Sequence, residues 1–245
     1  MLFVPLALAS TLLALLLHPA PAAANTEKAI FVAPPALPIP LARPSLADLR
    51  LAVLTPHNAS TAQLRTALAR AAPQAKQSET HGPQTVETWM LLDELTAGQR
   101  YEVRVCWAAT DPTDFTLDAY DLTTVFETPA LITSLATYAN NQPSTAVLAP
   151  PSAAERTASV ILLRIAAAAS YVSSQPQPQS AAPAVSVDVI LDPFVAYGLL
   201  PRSLVPAVAY VLAGVPVAWL LARALAAWVA HCAAAGPEER AKKVQ

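Results

Sequence analysis

The chain has 245 residues, a formal net charge of −2 and 13% charged residues. No basic stripe with interleaved aromatic residues occurs, which excludes nucleic-acid binding as the function. Proline is frequent, with 24 residues against five glycines. Because proline removes backbone donors and breaks helices, this composition favours short strands joined by extended segments.

The N-terminal segment has the composition of a secretory signal. Residues 2–17 are apolar or small and carry no charge, and small residues follow up to Asn25. This pattern predicts a signal peptide over residues 1–24 that is cleaved before Asn25. An uncleaved anchor is the alternative, but the apolar run is shorter than the ~20 residues that a spanning helix needs. Residues 25–201 are then expected to form a lumenal domain.

Most predicted elements of this domain are strands. In chain order we expect strands at 28–32, 49–54, 86–95, 101–107, 115–120 and 185–191, a short helix within 61–72, and proline-rich links over 34–44, 143–151 and 175–183. Residues 159–172 are apolar and then alanine-rich, so helix and strand stay unresolved there. Short strands without the spacing of β-α-β units predict a mainly β fold, an antiparallel β-sandwich.

The clearest strand begins at Tyr101. Tyr101, Val103, Val105 and Trp107 alternate with polar residues, so they are expected on one face of a sheet. The pattern Leu-x-x-Gly-x-x-Tyr, beginning at Leu95, resembles the entry to strand F of fibronectin-type sandwiches. There the tyrosine hydroxyl bonds to nearby backbone, in the tyrosine corner.

A second apolar segment, over residues 203–230, is a predicted transmembrane helix. Residues 204–222 carry no charge, and at 1.5 Å per residue they reach about 28 Å, close to the hydrocarbon thickness of a bilayer. Basic residues are more frequent after the segment than before it, which predicts a cytosolic tail over 231–245. A GPI-attachment signal is the competing interpretation, but a charged segment follows the apolar run.

Lys242 and Lys243 are the fourth and third residues from the end of the sequence. Two lysines in this arrangement predict a retrieval signal that coat proteins read on the cytosolic side of early secretory membranes. Ordinary stop-transfer charge is the alternative. The retrieval signal places the chain in the endoplasmic reticulum membrane with its bulk in the lumen.

The two cysteines and the single sequon fit this topology. Cys106 falls in the lumenal part and Cys232 near the cytosolic side, so they cannot pair, and Cys106 is expected to be a buried thiol on a strand. The sequence Asn58-Ala59-Ser60 predicts N-glycosylation of Asn58 in an exposed lumenal loop.

Catalytic and metal-binding motifs are missing from the sequence. It contains no Asp-x-Asp, no Gly-x-Ser-x-Gly, no His-Glu-x-x-His and no phosphate-binding glycine loop. His57 and His81 are isolated, and the acidic series from Asp111 to Asp121 does not have the spacing of a calcium loop. We therefore predict no catalytic residue, no metal and no cofactor.

Several segments together resemble one family. They are residues 27–31, residues 87–115, which include Tyr101-Glu-Val-Arg-Val-Cys-Trp107, and residues 187–206, which include Val187-Asp-Val-Ile-Leu-Asp-Pro-Phe194. They resemble the fungal non-catalytic subunit, or co-activator, of GPI mannosyltransferase II. The resemblance implies a lumenal domain on one helix in the endoplasmic reticulum. It also implies a partnership with the multispanning enzyme that adds the second mannose to the GPI precursor.

The predicted partner contacts lie around the membrane entry. They comprise two short segments, Asp192-Pro193-Phe194 and Pro201-Arg202, and two residues of the helix, Gly214 and Ala218. Gly214 and Ala218 are four residues apart, and small residues at this spacing let two helices approach closely. A helix that faces only lipid is the alternative.

The alternative function is that of a type I cargo receptor of the early secretory pathway. Such receptors share the signal, the lumenal β-sandwich, the single span and the dilysine tail. They usually carry a lumenal disulfide and a heptad coiled coil before the membrane, whereas this chain has one lumenal cysteine and a proline-broken approach. A lumenal hydrolase is a third class, without a motif to support it.

Overall fold

The computed structural model describes residues 24–39, 46–58, 60–73, 85–142, 156–171 and 182–242. All but the last residue of the predicted signal peptide, the link at 143–151 and most of the link at 175–183 lie outside these ranges. The chain divides into two compact units, Met1–Pro193 and Phe194–Gln245.

The secondary structure of these ranges consists mostly of strands. The strands are β1 (Ala24–Val32), β2 (Leu37–Ile39), β3 (Ala52–Leu54), β4 (Gln63–Leu68), β5 (Val86–Leu95), β6 (Arg100–Ala108), β7 (Thr113–Tyr120), β8 (Arg156–Ala169), β9 (Val185–Val195) and β10 (Leu200–Pro201). The helices are α1 (Leu122–Glu127), α2 (Pro129–Asn141) and α3 (Val205–Lys242), with 3₁₀ turns at Leu46–Leu49 and Arg202–Leu204.

Two sheets form the first unit. In the first sheet β1, β6, β9 and β4 lie side by side, and each pair is antiparallel. In the second sheet β8 is the central strand. Strand β5 pairs with one side of β8 and β7 with the other, and β2 pairs with the first residues of β8. The short strand β3 is parallel to β5. The predicted mainly β fold, with antiparallel sheets and one C-terminal apolar helix, is confirmed.

The main core lies between the two sheets. The alternate residues Tyr101, Val103, Val105 and Trp107 of β6 point into it, as the sequence predicted. Met90, Leu92, Ile161, Leu163 and Ile165 of the second sheet face them. Side chains of two sheets that share one apolar layer form a sandwich.

A helical layer covers the other face of the second sheet. Trp89 and Leu91 of β5 and Val160 and Leu162 of β8 pack there against Val125, Leu131 and Leu135 of α1 and α2. Strands β5 and β8 are therefore buried on both faces. This burial explains why their sequences read as continuous apolar runs without alternation.

The tyrosine corner is present. The Tyr101 hydroxyl accepts a hydrogen bond from the backbone N–H of Thr96 at 3.0 Å and donates one to Oε1 of Gln99 at 3.2 Å. The Tyr101 ring is buried and stacks on Phe31, with ring centroids 5.8 Å apart. One hydroxyl thus fixes the turn between β5 and β6.

Replacing Tyr101 with phenylalanine is expected to lower the free energy of unfolding by about 1–3 kcal/mol, because the Thr96 amide loses its acceptor while the apolar packing stays. Denaturant unfolding of the full chain in detergent, followed by circular dichroism of the strands, measures the change. Tyr171→Phe is the control, since that ring lies under Arg70 at 5.7 Å and keeps this contact as phenylalanine. Equal stability of Tyr101→Phe and the parent would contradict the role of the hydroxyl.

The helix predicted within 61–72 is wrong. Residues Gln63–Leu68 form β4, in which Leu64 and Leu68 are directed inward and Arg65 is exposed. Two leucines four residues apart fit one face of a helix, but they also fit one face of a strand. Residues 63–68 form a strand because they pair with β9, from Gln63↔Ile190 to Leu68↔Val185.

Two other expectations are corrected. The strand expected at 49–54 is confined to Ala52–Leu54 and follows a 3₁₀ turn at Leu46–Leu49. Arg50 between them has a φ of 54°, a left-handed conformation that ends the turn. For the segment 159–172, where helix and strand were both left open, the structure shows strand β8 as far as Ala169, because β5 and β7 pair with its two sides.

Within the second unit, residues Phe194–Pro201 form a hairpin and α3 follows. The antiparallel pairs are Val195↔Leu200 and Phe194↔Pro201. Helix α3 runs from Val205 to Lys242, which is about 57 Å at 1.5 Å per residue. Residues Arg202–Cys232 are long and apolar enough to cross a membrane.

Candidate partner and membrane interface

An ion cluster lies on the outer face of the first sheet. Glu102 of β6 and Asp192 of β9 are directly opposite each other across the strand pair. Arg104 Nη1 is 3.3 Å from Glu102 Oε1, and its Nη2 is 4.0 Å from Asp192 Oδ2. Lys28 Nζ is 3.5 Å from Glu102 Oε2. The two cations offset the repulsion between two neighbouring, almost fully buried carboxylates.

The predicted contact residues divide by exposure. Asp192 and Phe194 are buried within this chain, Pro193 and Pro201 are half-buried, and Arg202 is exposed. Of these five residues, only Arg202 presents its side chain outward. Residues Asp192 and Pro193 end the first unit, and the other three belong to the second.

The hairpin before the helix was missed as a site by the sequence reasoning. Its tip carries Tyr197, 105% exposed, and Leu199, 80% exposed. Ala196, Tyr197 and Gly198 have φ values of 51°, 59° and 79°, all left-handed. Gly198 and Pro201, which follow the apolar strand closely, were the available signal, because glycine and proline mark turns.

Gly214 and Ala218 lie on the described part of α3, where the side chains of residues 205–232 are exposed. A Cβ added at Gly214 would meet no heavy atom within 4 Å. Among the described residues, none therefore covers this face of the helix. Farther along, the Arg223 guanidinium lies 4.8 Å from the centre of the Trp219 ring, one turn apart, in a cation–π contact suited to an interface between water and lipid.

Asn58 lies in the exposed loop between β3 and β4. Its Oδ1 accepts hydrogen bonds from Ser60 Oγ at 2.6 Å, from the Ser60 amide at 3.1 Å and from the Thr61 amide at 3.0 Å. The Asn58 side chain and the Ser60 hydroxyl of the sequon are thus held next to each other at the surface.

Cys106 is half-buried on the outer face of the first sheet, where it accepts a weak hydrogen bond from the Thr26 hydroxyl at 3.5 Å. Cys106 lies on a strand as expected, but it is half-buried rather than buried, because alternation along β6 turns it away from the core. Both Cys106 and Cys232 are free. Lys242 is the last residue of α3, and Lys243 lies outside the described ranges.

The polar cluster nearest to an active-site arrangement lies under α2. Trp89 Nε1 donates to Ser134 Oγ at 2.9 Å, and Ser134 Oγ donates to Glu87. Arg164 bonds Glu87 Oε1 at 3.2 Å and Asp118 Oδ2 at 2.7 Å. These bonds fasten α2 to the second sheet. In the part of the chain that the structure describes, no group of three or more His, Cys, Asp or Glu side chains has the arrangement of a metal site.

The pKa values of Asp188 and Tyr120 are shifted from their ordinary values by their surroundings. Hydrogen bonding to Arg65 holds the pKa of Asp188 below its usual range, and the two side chains form a bidentate pair with both N–O distances at 2.8 Å. Burial raises the pKa of Tyr120, although the Arg164 guanidinium opposes that shift. Both shifts have structural causes, an exposed ion pair and the covering of the second sheet.

The class that the fold and the site define is a β-sandwich domain followed by one helix with the length and apolarity of a membrane span. Residues 15–133 match the family model of Pga1, the GPI-mannosyltransferase II co-activator, and the resemblance to this family is confirmed. A co-activator of the mannosyltransferase agrees with a non-catalytic role. No curated protein and no solved structure matches the chain.

Proposed function

We propose that the chain is a non-catalytic subunit that stabilises or activates GPI mannosyltransferase II, the enzyme that adds the second mannose to the GPI precursor in the endoplasmic reticulum. The match of residues 15–133 to the co-activator family carries this proposal. The described residues of this range run from β1 to the first turn of α2, so they include strands of both sheets and helix α1 of the covering layer.

The proposed arrangement has the sandwich in the lumen, α3 across the membrane and the basic C-terminal segment in the cytosol. The apolar stretch Arg202–Cys232 supports the span, and the excess of Lys and Arg after it supports the orientation. An accessory subunit of this kind acts by binding one state of the catalytic chain more tightly, which raises the population of that state.

The proposed contact with the multispanning catalytic subunit consists of the helix face with Gly214 and Ala218 and of the entry segment with Arg202 at its surface. Small residues four apart allow a neighbouring helix to approach the backbone of α3. Asp192, Pro193, Phe194 and Pro201 are the other residues of the proposed contact. The side chains of residues 205–232 are all exposed in the described part of the chain, so the assignment of this face rests on the spacing of its two small residues.

Affinity purification of the tagged full chain in mild detergent tests the function. We expect a polytopic mannosyltransferase to co-purify, and deletion of the chain to lower the addition of the second mannose. Recovery of coat proteins and soluble cargo without a mannosyltransferase would favour the cargo receptor instead. That alternative shares the predicted layout of domain, span and tail.

The predicted retrieval signal has its own test. Replacing Lys242 and Lys243 with serine is expected to move the chain from the endoplasmic reticulum to later compartments, because coat proteins no longer bind the tail. Fluorescence microscopy measures the localisation. A variant with arginine in place of both lysines keeps the positive charge, so it separates specific recognition of lysine from an effect of charge alone. Unchanged localisation of the serine variant would reject retrieval by these lysines.

Asn58 reports the side of the membrane on which the sandwich lies. N-glycosylation of an Asn-x-Ser sequon takes place in the lumen, so we expect endoglycosidase to increase the electrophoretic mobility of the parent and not that of Asn58→Gln. Ser60→Ala, which keeps Asn58 but removes the sequon hydroxyl, should behave like Asn58→Gln. An equal mobility shift of the parent and Asn58→Gln would show that the modified residue lies elsewhere.

A further inference from the structure

The hairpin Phe194–Pro201 presents two large side chains to solvent immediately before α3. Tyr197 and Leu199 at its tip are almost fully exposed, while Phe194 at its base is buried. The pairs Val195↔Leu200 and Phe194↔Pro201 and a hydrogen bond from the Leu199 amide to the Ala196 carbonyl at 3.3 Å hold the tip in one conformation. The tip is thus a preformed apolar projection.

The backbone of the tip is unusual for its sequence. Ala196 and Tyr197 adopt left-handed φ values before Gly198, although only glycine takes this conformation without steric cost. Non-glycine residues in this region are often found where function requires a particular direction of the side chain. Here the conformation turns the Tyr197 ring outward.

The distance to the membrane span limits what can cover this tip. The stretch with the properties of a span begins at Arg202, three residues after Leu199, and three residues reach at most ~10 Å even when fully extended. The headgroup layer on each side of a bilayer is roughly 5–8 Å thick. The 3₁₀ turn Arg202–Leu204 leads directly into α3, so the tip has to lie near the membrane surface.

We propose that Tyr197 and Leu199 insert into the boundary between lipid headgroups and acyl chains and fix the depth of α3 in the bilayer. Tyrosine suits this layer because its ring is apolar and its hydroxyl can bond to water or headgroups. Leu199 adds exposed apolar area at the same tip. The inference rests on the proposed membrane span, and it assigns this surface to lipid rather than to protein.

The test measures the depth of a fluorescent label in the full chain reconstituted into phosphatidylcholine vesicles. Cys106 and Cys232 are replaced by serine, and single cysteines at positions 197, 199 and 212 carry an environment-sensitive nitrobenzoxadiazole group. Vesicles contain a lipid spin-labelled either at the headgroup or deep in the acyl chain, and iodide serves as the quencher in water. Circular dichroism of each labelled chain confirms that it keeps its strands and helix.

We expect the headgroup spin label to quench emission from positions 197 and 199 more strongly than the deep label, and the deep label to quench position 212 more strongly. Strong iodide quenching at 197 and 199 with little quenching by either lipid label would overturn the inference, provided position 212 is quenched by the deep label. Little quenching by any agent at 197 and 199 would show a protein cover and would also overturn it. Iodide quenching at position 212 would instead contradict the proposed membrane span.

A second measurement separates the hairpin from the contact with the partner. Tyr197→Ser with Leu199→Ser is expected to shift the label at position 212 toward the headgroup spin label, because the anchor that sets its depth is lost. Tyr197→Trp should keep the depth, because tryptophan also favours the interface. An unchanged depth in the double serine variant contradicts the inference even when the mannosyltransferase still co-purifies.

Discussion

The double substitution Gly214→Leu with Ala218→Leu is expected to reduce the amount of mannosyltransferase that co-purifies with this chain by about tenfold. This loss corresponds to about 1.4 kcal/mol of binding free energy. The reason is steric: two isobutyl groups on one helix face hold a neighbouring helix away from the backbone. A Cβ at Gly214 contacts nothing in the described part of the chain, and leucine favours helix more than glycine does. The helix itself should therefore form as before.

The matched control is leucine at Ala209 and Ala213. These residues are also four apart on α3 and exposed, but they face away from Gly214 and Ala218 at 100° per residue. Both double variants add similar volume and apolar area to the span. We expect the control to recover the enzyme at the parental level, measured by affinity purification with equal amounts of chain. Full recovery by Gly214→Leu with Ala218→Leu would remove this face from the interface.

Replacing Arg156 with methionine is expected to lower the free energy of unfolding by about 3–5 kcal/mol, because it leaves a buried carboxylate without its cation. Arg156 bonds Asp93 at the beginning of β8, and the Asp93 side chain is only 4% exposed. Asp93 also accepts the Glu94 amide at 2.6 Å, where Glu94 has a left-handed φ of 54° and the register between β5 and β8 shifts. The pair thus holds an irregular point of the second sheet.

Two comparisons make this result specific. Arg65→Met breaks a bidentate pair with Asp188, but Arg65 is 77% exposed, so water solvates both partners and a much smaller loss is expected. Adding Asp93→Asn to Arg156→Met removes the unpaired charge and should restore part of the stability. Denaturant unfolding of the full chain in detergent measures all three variants. Equal losses of unfolding free energy in Arg65→Met and Arg156→Met would contradict the view that burial of Asp93 makes its ion pair the more important one.

Alternation and turn chemistry made much of the sandwich predictable. Strand β6 has apolar residues at every second position and a tyrosine corner at its entry, and both features appear in the structure. Strands β5 and β7 also lie where the sequence placed them. A strand with one buried face leaves a period of two in the sequence, and local pattern is then sufficient.

The helical layer was missed, although some of its signals are present. Asp121 caps α1 by accepting the Thr124 amide at 2.6 Å, and Pro129 occupies the first turn of α2. An acidic cap and a proline at this position are typical helix starts. Helix α1 has only six residues, too few for a periodic pattern. In α2 the residues Leu131, Leu135 and Tyr138 follow helical spacing and pack on one face, so this signal was available and was overlooked. The second sheet supplies the apolar surface that stabilises them.

The sequence by itself determined the alternating strand at Tyr101, the apolar segment after Arg202 and the resemblance to the co-activator family, because each is written in neighbouring residues. Only the tertiary structure decided that Gln63–Leu68 is a strand, that β8 is a strand buried on both faces, and that Asp192 and Phe194 are buried while Tyr197 projects. The physical reason is that burial and strand pairing depend on residues far apart in the chain, and these contacts outweigh local propensity.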